Sequence, residues 1–217
     1  MDVGITLQII VLIMSVVVHE VSHGYAAYWL GDPTAKYAGR LNFNPVNHLD
    51  LFGSFIVPGI LMITGSPFLF GWAKPVPFNP YNLRNQKWGP AIVGLAGPFS
   101  NLIMAIVAGM LTRTMLVFGV VDGFILQLLS ITVFINILLM VFNMLPIPPL
   151  DGSKLLFAAV PISDHTKMTL ERYGFVFLLI FLVLFQGIFN LIMFSILKII
   201  TNSIIGVGLD GFFSLMG

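Results

Sequence analysis

The sequence GITLQIIVLIMSVVVHEVSHGYAAYWL, residues 4–30, decides the fold, because it is an apolar run long enough to cross a lipid bilayer. Its residues 19–23 read HEVSH and match the pattern His-Glu-x-x-His. On a helix, His19 and His23 lie on one face, so both can bind one metal ion while Glu20 acts as a general base. Polar groups at this depth are costly unless they are paired or bound, so we interpret these three as a functional site.

The composition of the whole chain indicates a membrane protein. Hydrophobic residues make up 58% of the 217 residues and charged residues only 9%, whereas a soluble domain carries about 25% charged residues. A net charge of +1 is too small for a protein that binds nucleic acid. We therefore expect the lipid bilayer and membrane-embedded molecules as partners, and no nucleic acid. The lack of cysteine excludes disulfides, thiolate catalysis and cysteine-bound zinc.

The predicted fold class is an all-α polytopic membrane protein, with a single membrane-embedded domain over residues 1–217. Between the first and second spans, residues 31–87 are predicted to form a re-entrant or β-like element. Glycine and proline interrupt its apolar part, and its proline- and asparagine-rich part should be irregular or extended. The predicted segments are spans at 4–30, 90–118, 124–145 and 173–200, a possible strand at 35–43, an interrupted apolar stretch at 51–70, an extended stretch at 71–87 and a polar loop at 146–172.

A third metal ligand has to come from a small set of acidic residues. A catalytic zinc site has three protein ligands and one open position, and the chain has only nine aspartates and glutamates. Asp151 follows the span 124–145 in the sequence NMLPIPPLDG, where prolines end the helix and leave a carboxylate beside the membrane. An ordinary turn aspartate before glycine is the plainer interpretation of that position. Its sequence context alone favours the turn.

Three motifs in one order give a specific resemblance. HEVSHG at 19–24, AGPFSN at 96–101 and NMLPIPPLDG at 143–152 resemble the site-2 protease family of intramembrane zinc metallopeptidases. GWAKPVPFNP at 71–80 resembles a stretch of the compact bacterial branch without PDZ or CBS domains. The resemblance implies that Glu20 is the catalytic base. It also implies that the ligands of a Zn²⁺ ion are His19, His23 and Asp151.

The same resemblance suggests roles for further polar residues. Asn101 would face the active site and hold the substrate or stabilise an oxyanion, although an interhelical hydrogen bond is the alternative. Asn143 begins the approach to the Leu-Asp-Gly element and could touch substrate or a ligand. Independently of the resemblance, the position of His48 near Asp50 in NPVNHLDLFG suggests that it could gate substrate, support a ligand or bind a second metal, or it could be an ordinary interfacial histidine. Leu51 stands where the family often has proline, which leaves the role of the 48–53 turn open.

A shared metal ion sets a condition on topology. His23 lies near the end of the first span and Asp151 just past the end of 124–145, so both ends must be on one side of the bilayer and 51–87 must enter and leave on one face. Under this topology, eight of the ten lysines and arginines lie on the face of the membrane that carries the site and two lie on the opposite face. A full crossing at 51–70 would instead give six against four. By the positive-inside rule we predict an N-terminus outside and an active site toward the cytoplasm. The resemblance to the compact bacterial branch implies that the membrane is a bacterial cytoplasmic membrane. The larger group is Lys36, Arg40, Lys74, Arg84, Lys87, Lys154, Lys167 and Arg172; the smaller is Arg113 and Lys198.

The predicted function is regulated intramembrane proteolysis by a zinc-dependent endopeptidase that cleaves transmembrane segments of membrane-anchored proteins or peptides. An unwound substrate could be held by strand addition at 35–43 or at 71–80. The alternative is a membrane metal-ion transporter, although clustered polar residues and the lack of an internal repeat favour the protease. The sequence leaves the physiological substrate and the oligomeric state open. The transporter would use His19, His23, His48 and Asp50.

Overall fold

The computed structural model describes residues 3–64, 71–120 and 122–216, and within these ranges it consists of helices and connecting segments without a strand. The predicted all-α class is confirmed. Short helical turns of other types occur at Pro45–His48, Leu51–Ile56, Pro80–Asn82 and Thr201–Ile205. The α-helices are α1 Val3–Trp29, α2 Thr34–Tyr37, α3 Val57–Ile63, α4 Gly89–Val117, α5 Gly123–Asn143, α6 Gly152–Ala159, α7 Asp164–Leu184, α8 Gln186–Ile200 and α9 Leu209–Leu215.

Four helical segments of the described chain are long and apolar enough to cross a membrane, and the protein is an integral membrane protein. The predicted number of spans is confirmed, and the first three agree with the prediction within two residues. The fourth differs, because the backbone of Phe185 leaves the helical region (φ −116°, ψ 21°) and divides the stretch 173–200 between α7 and α8. The four segments are Gly4–Trp29, Gly89–Val117, Gly123–Asn143 and Gln186–Ile205.

Helices α1, α4 and α5 form the central bundle, with α4 antiparallel to both neighbours. Helices α1 and α5 therefore run parallel, and their C-terminal ends lie at the same end of the bundle. A site shared between α1 and the turn after α5 requires this arrangement. The facing pairs are Ala27 with Val93 and Ser15 with Asn101 for α1 and α4, and Leu7 with Ile131 and Ser15 with Asn136 for α1 and α5.

Glycines on α4 let neighbouring elements approach its backbone closely, as small residues do between membrane helices. A Cβ at Gly94 would lie 3.1 Å from the backbone oxygen of Asp151, and one at Gly109 would lie 3.2 Å from Cγ2 of Ile204. The glycines therefore seat the α5–α6 turn against one end of α4. They seat the segment after α8 against the other end.

The segment between α1 and α4 leaves the bundle and returns at the same end. The N–H of Arg84 donates to the backbone oxygen of Leu30 at 2.9 Å, beside the end of α1. Within the segment, the N–H of Trp72 donates to the oxygen of Gly53 at 3.1 Å, so the chain after residue 53 comes back to its starting point. Residues 65–70 of the predicted stretch 51–70 lie outside the described residues.

Two sequence-based predictions of local structure are wrong. Part of the predicted strand 35–43 forms α2, a helical turn that begins after Pro33, whose backbone has φ −84°. Part of the predicted polar loop 146–172 forms α6 and the start of α7. The extended stretch is confirmed in part, since 71–79 has neither helix nor strand. A single helical turn leaves too little hydrophobic periodicity for the sequence to distinguish it from a short strand.

Candidate metal centre

Three side chains with metal-binding atoms converge where α1 meets the α5–α6 turn. Nε2 of His19 lies 3.0 Å and Nε2 of His23 lies 3.1 Å from the same carboxylate oxygen, Oδ2 of Asp151. All three residues are buried. Among the described residues they make up the one group of three or more potential ligands whose atoms lie within 4.8 Å of one another. The structure thus brings together the three residues that the motifs predict as ligands.

Local sequence explains how each element presents its group. The two histidines are four residues apart on α1 and therefore share a face. Asp151 precedes the first residue of α6, in the turn that follows the prolines after α5. Gly152 is required beside it, because a Cβ there would collide with the backbone oxygens of Met144 and Leu145. The Leu-Asp-Gly element is therefore a turn folded tightly against the end of α5.

Each imidazole is held through its other nitrogen. Nδ1 of His19 lies 2.6 Å from Oδ1 of Asn101, and Nδ1 of His23 lies 2.7 Å from the backbone oxygen of Val93. Both partners are acceptors, so Nδ1 of each ring carries the hydrogen and donates it. Nε2 of each ring is then left with a lone pair directed at Asp151.

These lone pairs match the requirements of a metal ion. Two ring nitrogens and a carboxylate oxygen are all acceptors, and at about 3 Å they repel one another unless a cation lies among them. Two imidazoles and one carboxylate form a known set of protein ligands for catalytic zinc. Hydrogen bonds from the remote ring nitrogens to protein oxygens are the usual support for such ligands. The residues present therefore fit Zn²⁺.

Gly97 keeps the space beside the ring nitrogens free. A Cβ at this position would lie 2.5 Å from Nε2 of His23 and 2.6 Å from Nε2 of His19. Gly97 belongs to the AGPFSN motif, but the sequence could not show that the missing side chain faces the metal-binding atoms. Its role follows only from the register of α4 against α1.

Lys154 also contacts the Asp151 carboxylate, and the sequence did not predict this contact. Its Nζ donates to Oδ1 of Asp151 at 2.8 Å, which leaves Oδ2 for the histidines. Burial raises the pKa of Asp151, and the positive charge of this ammonium group acts in the opposite direction and lowers it. The spacing of three residues on a helix was a usable signal, since i and i+3 side chains are neighbours.

Glu20 contacts the extended segment between α2 and α4. Its Oε2 accepts the backbone N–H of Val76 at 2.8 Å, and the Val76 side chain is buried. Glu20 itself is half-buried. The backbone of 71–79 thus passes over the face of α1 that carries the predicted base. No sequence signal reveals this contact, because a backbone N–H belongs to every residue except proline.

The two asparagines with predicted roles differ in position. Asn101 is buried, with its Oδ1 on His19 and its Nδ2 donating to Asn136 at 2.7 Å. Both ends of this amide are therefore engaged within the protein, which favours support of His19 over contact with substrate. Asn143 donates through Nδ2 to the oxygen of Leu139 on its own helix. Its predicted contact with substrate or a ligand stays a prediction.

His48 and Asp50 lie outside the cluster of potential ligands. His48 is buried, and its Nε2 lies 2.8 Å from the backbone oxygen of Asn42. Asp50 caps the following helical turn, with Oδ1 accepting the N–H of Gly53 at 2.7 Å. The four residues of the transporter alternative therefore do not form one group within the described part of the chain, and nothing in the comparisons below favours transport.

Comparisons with known proteins identify relatives of this chain. The model of peptidase family M50 matches residues 118–185, which include Asp151. The protein named "Putative zinc metalloprotease YwhC" of Bacillus subtilis is 40% identical over 183 residues, covering 82% of this chain and 78% of that protein. "Putative zinc metalloprotease Rip2" of Mycolicibacterium smegmatis is 26% identical over 172 residues, and the match covers 79% of this chain and 64% of that protein.

A second Rip2, from Mycobacterium tuberculosis, is 27% identical over 169 residues, and the match covers 63% of its length. No solved structure matches the chain significantly. The match to YwhC covers more than two thirds of both proteins at an identity that establishes common family membership. The chain therefore belongs to peptidase family M50, the site-2 protease family that its motifs predicted.

Proposed function

We propose that the protein is an intramembrane zinc metalloprotease that cleaves transmembrane segments of membrane-anchored proteins or peptides. The observation that carries the proposal is the convergence of His19, His23 and Asp151 within 4.8 Å, with Glu20 adjoining the first of them, between helices long enough to cross a membrane. The names of the relatives, which contain the words zinc metalloprotease, support the choice of metal and reaction.

Each residue of the site has a defined task in this reaction. Nε2 of His19, Nε2 of His23 and Oδ2 of Asp151 would hold the metal. Bound zinc supplies a Lewis acid that polarises a carbonyl group and makes water nucleophilic at neutral pH. Glu20 takes the proton of the attacking water and delivers it to the nitrogen that leaves the cleaved peptide bond, a role typically worth about 10²–10⁴ in rate. The Val76 N–H orients the Glu20 carboxylate by donating to its Oε2.

The extended stretch 71–79 is the candidate for binding an unwound substrate. Its contact with Glu20 supports this role, and a backbone without helix or strand can pair with a peptide in β fashion. Pro75 and Pro77 carry no N–H, so this stretch offers mainly carbonyl oxygens to such a partner. A substrate segment in an extended conformation would donate its own N–H groups to them.

The proposed orientation has the N-terminus outside and the site open toward the cytoplasm. Both ends of the 31–87 segment lie at the site end of the bundle, as the bond from Arg84 to Leu30 shows. Eight of the ten lysines and arginines belong to that end, which is the cytoplasmic distribution. Of the other two, Arg113 donates to the backbone oxygen of Ser203 at 3.3 Å, near the opposite end of α4.

A labelling experiment tests the orientation cleanly, because the chain contains no cysteine. Single cysteines replace Lys87, before α4, and Val120, between α4 and α5; both are exposed. In intact cells, a membrane-impermeant maleimide should label the Val120→Cys protein and reach the Lys87→Cys protein only after the membrane is opened. The reverse pattern would overturn the proposed orientation.

Cleavage in proteoliposomes tests the reaction itself. The purified protein is reconstituted with a single-span model substrate, and the Glu20→Gln variant is compared with Glu171→Gln, which changes the only other glutamate, an exposed one on α7. We expect Glu20→Gln to retain zinc and lose cleavage, and Glu171→Gln to retain both. Undiminished cleavage by Glu20→Gln would disprove the proposed mechanism.

A further inference from the structure

We infer that Asn136, acting with Ser15 through Asn101, is a positioning residue that fixes the tautomer of His19 and so directs a lone pair of Nε2 toward the metal. The inference rests on the proposed zinc site but concerns a residue seven positions before the NMLPIPPLDG motif, on the neighbouring helix α5. The sequence gives no reason to single out Asn136. Its role follows from the direction of a chain of hydrogen bonds.

The chain of hydrogen bonds starts at a group whose role is fixed. The backbone oxygen of Thr132 can only accept, and it lies 2.9 Å from the Asn136 amide, so Nδ2 of Asn136 faces it. Nδ2 also donates to Oγ of Ser15 at 2.9 Å. The other end of this amide, Oδ1, is therefore the group that faces Asn101.

The remaining steps leave one arrangement. Because Oδ1 of Asn136 accepts, the Asn101 atom 2.7 Å away must be the donor Nδ2. Oδ1 of Asn101 then points at His19, 2.6 Å from Nδ1. An acceptor at that distance requires a hydrogen on Nδ1, and the neutral ring has only one. Nε2 of His19 must therefore carry the lone pair.

Burial prevents water from replacing these contacts. Ser15, Asn101 and Asn136 are each 0% exposed. They come from α1, α4 and α5, at a depth within spans where polar groups must find partners inside the protein. Without Asn136, Nδ2 of Asn101 would lose its 2.7 Å partner and keep only the longer contact of 3.5 Å with the backbone oxygen of Ser15, so the amide could turn over. It would then present a donor to Nδ1 and favour the wrong tautomer.

A comparison with His23 shows why this chain of hydrogen bonds matters for one histidine only. Its Nδ1 donates to the backbone oxygen of Val93 at 2.7 Å. A backbone carbonyl oxygen can only accept, so this ring needs no further support. The side-chain amide of Asn101 can turn over and exchange its oxygen for its nitrogen, and Asn136 controls which of the two faces His19. Interhelical hydrogen bonding alone would stabilise the bundle without this directional requirement.

The test compares Asn136→Leu with Ser130→Ala in the full-length protein in detergent. Ser130 is equally buried on the same helix, and its hydroxyl has no partner in the described structure. Zinc affinity is measured by competition with a chelator, and thermal unfolding is measured alongside it. We expect Asn136→Leu to weaken zinc binding by about 10- to 100-fold, the usual effect of losing a residue that supports a metal ligand, and Ser130→Ala to change it little.

A second variant separates positioning from bundle stability. Asn101→Asp places acceptor oxygens at both ends of that side chain, so an acceptor faces Nδ1 whichever way it turns. In this background, Asn136→Leu should no longer weaken zinc binding. If the loss persists there, or if Asn136→Leu lowers only the unfolding temperature while zinc affinity matches Ser130→Ala, the inference is overturned.

The inference and the proposed function can fail separately. Nitrogen NMR of the four histidines in zinc-free protein reports the tautomer directly. We expect the His19 ring to be protonated at Nδ1, and to gain the other tautomer in Asn136→Leu. A protein that lacks zinc or protease activity but shows this change would contradict only the proposed function. An unchanged tautomer in an active zinc protease would contradict only the inference.

Discussion

The site has two sides that are built differently. On one side, helices α1 and α4 and the turn between α5 and α6 hold His19, His23 and Asp151 through buried contacts. On the other side, the stretch 71–83 has no helix or strand apart from one short turn, and it touches the site through the Val76 N–H on Glu20. The helical side holds the candidate ligands, whereas the extended side contacts the candidate base.

This difference suggests a division of labour. Ligands must be held in a fixed geometry, and side chains on packed helices provide it. A peptide substrate must enter and leave, which suits a segment whose contacts are backbone hydrogen bonds at a less buried position. Changes on the helical side should therefore remove the metal. Changes on the extended side should leave the metal bound and slow cleavage.

Removal of the candidate carboxylate ligand, Asp151, should have the largest effect. Asp151→Asn substitutes a weaker neutral ligand in contact with both histidines, and we expect zinc and cleavage to be lost together. Zinc is measured by elemental analysis of the purified protein. Asp122→Asn is the control, because Asp122 only caps α5 through the N–H of Ile125, and asparagine caps as well. Retention of zinc by Asp151→Asn would remove Asp151 from the ligand set.

Filling the space at Gly97 should have the next largest effect. Gly97→Ala places a methyl group 2.5 Å from Nε2 of His23, so rings or helix must shift. Overpacking of this kind costs about 1–3 kcal/mol, and a cost of that size on the metal-bound state corresponds to a loss of zinc affinity of roughly 5- to 150-fold. Gly187→Ala on α8, where a Cβ meets nothing within 4 Å in the described structure, is the control. Equal zinc affinity in both variants would contradict the close approach of α4 to the imidazole rings of His19 and His23.

A smaller effect is expected at Lys154. Lys154→Met removes the ammonium group that holds Oδ1 of Asp151 but keeps the apolar stem. Because the Lys154 side chain is 30% exposed, water can replace part of this contact, and we expect zinc affinity to fall by about tenfold. Lys87→Met, at an exposed site before α4, should leave it unchanged. Equal zinc affinity in Lys154→Met and Lys87→Met would show that the contact of Lys154 with Asp151 does not support metal binding.

The extended side should respond without loss of metal. Asp32 accepts hydrogen bonds from the Asn79 N–H at 2.6 Å and from Nδ2 of Asn82 at 2.9 Å, and so ties this segment to the end of α1. Asp32→Ala should keep zinc, slow cleavage, and accelerate hydrogen exchange near Asn79 by about tenfold or more, since each lost bond leaves an unpaired group. Asp210→Ala on α9 is the exposed control. Loss of zinc in Asp32→Ala would contradict the division between the two sides.

The same residue sets a pH dependence for the extended segment. Burial raises the pKa of Asp32, but hydrogen bonds from Thr34, Asn82 and Asn79 lower it below the ordinary value of 3.8. The stabilisation is therefore complete above pH 3.8 and is lost as the pH falls through the lowered value. The protection factor near Asn79, which is the factor by which exchange is slowed relative to an unstructured peptide at the same pH, should therefore fall in acid in the parent protein. In Asp32→Ala this protection factor should already be low at neutral pH.

Sequence patterns predicted the parts of the molecule that follow from spacing along one helix. The i and i+4 histidines share a face, and the requirement that they meet Asp151 predicted that α1 and α5 end on the same side. Partners across helices were not accessible in this way. Gly97 and Asn136 are identified only by the register of α4 and α5 against α1, and helical periodicity contains no information about that register.

The wrong local predictions have physical causes as well. In 35–43, polar and apolar residues alternate over too few positions to separate a strand from the single turn α2. In 173–200, hydrophobicity continues through Phe185 although the helix does not. Hydrophobicity indicates which residues can contact lipid or the protein core. It does not indicate the break between α7 and α8, because that break arises from the backbone conformation of Phe185. Similarly, the contact of Val76 with Glu20 uses a backbone group that no residue pattern marks.

X-ray absorption at the zinc edge tests the central claim most directly. For the Glu20→Gln protein, which should hold zinc without turnover, we predict nitrogen and oxygen ligands at about 2.0–2.1 Å, including two imidazoles. The His23→Ala variant should lose one imidazole or the metal. A spectrum with fewer than two imidazoles before substitution, or one that His23→Ala leaves unchanged, would show that His19, His23 and Asp151 do not hold the metal.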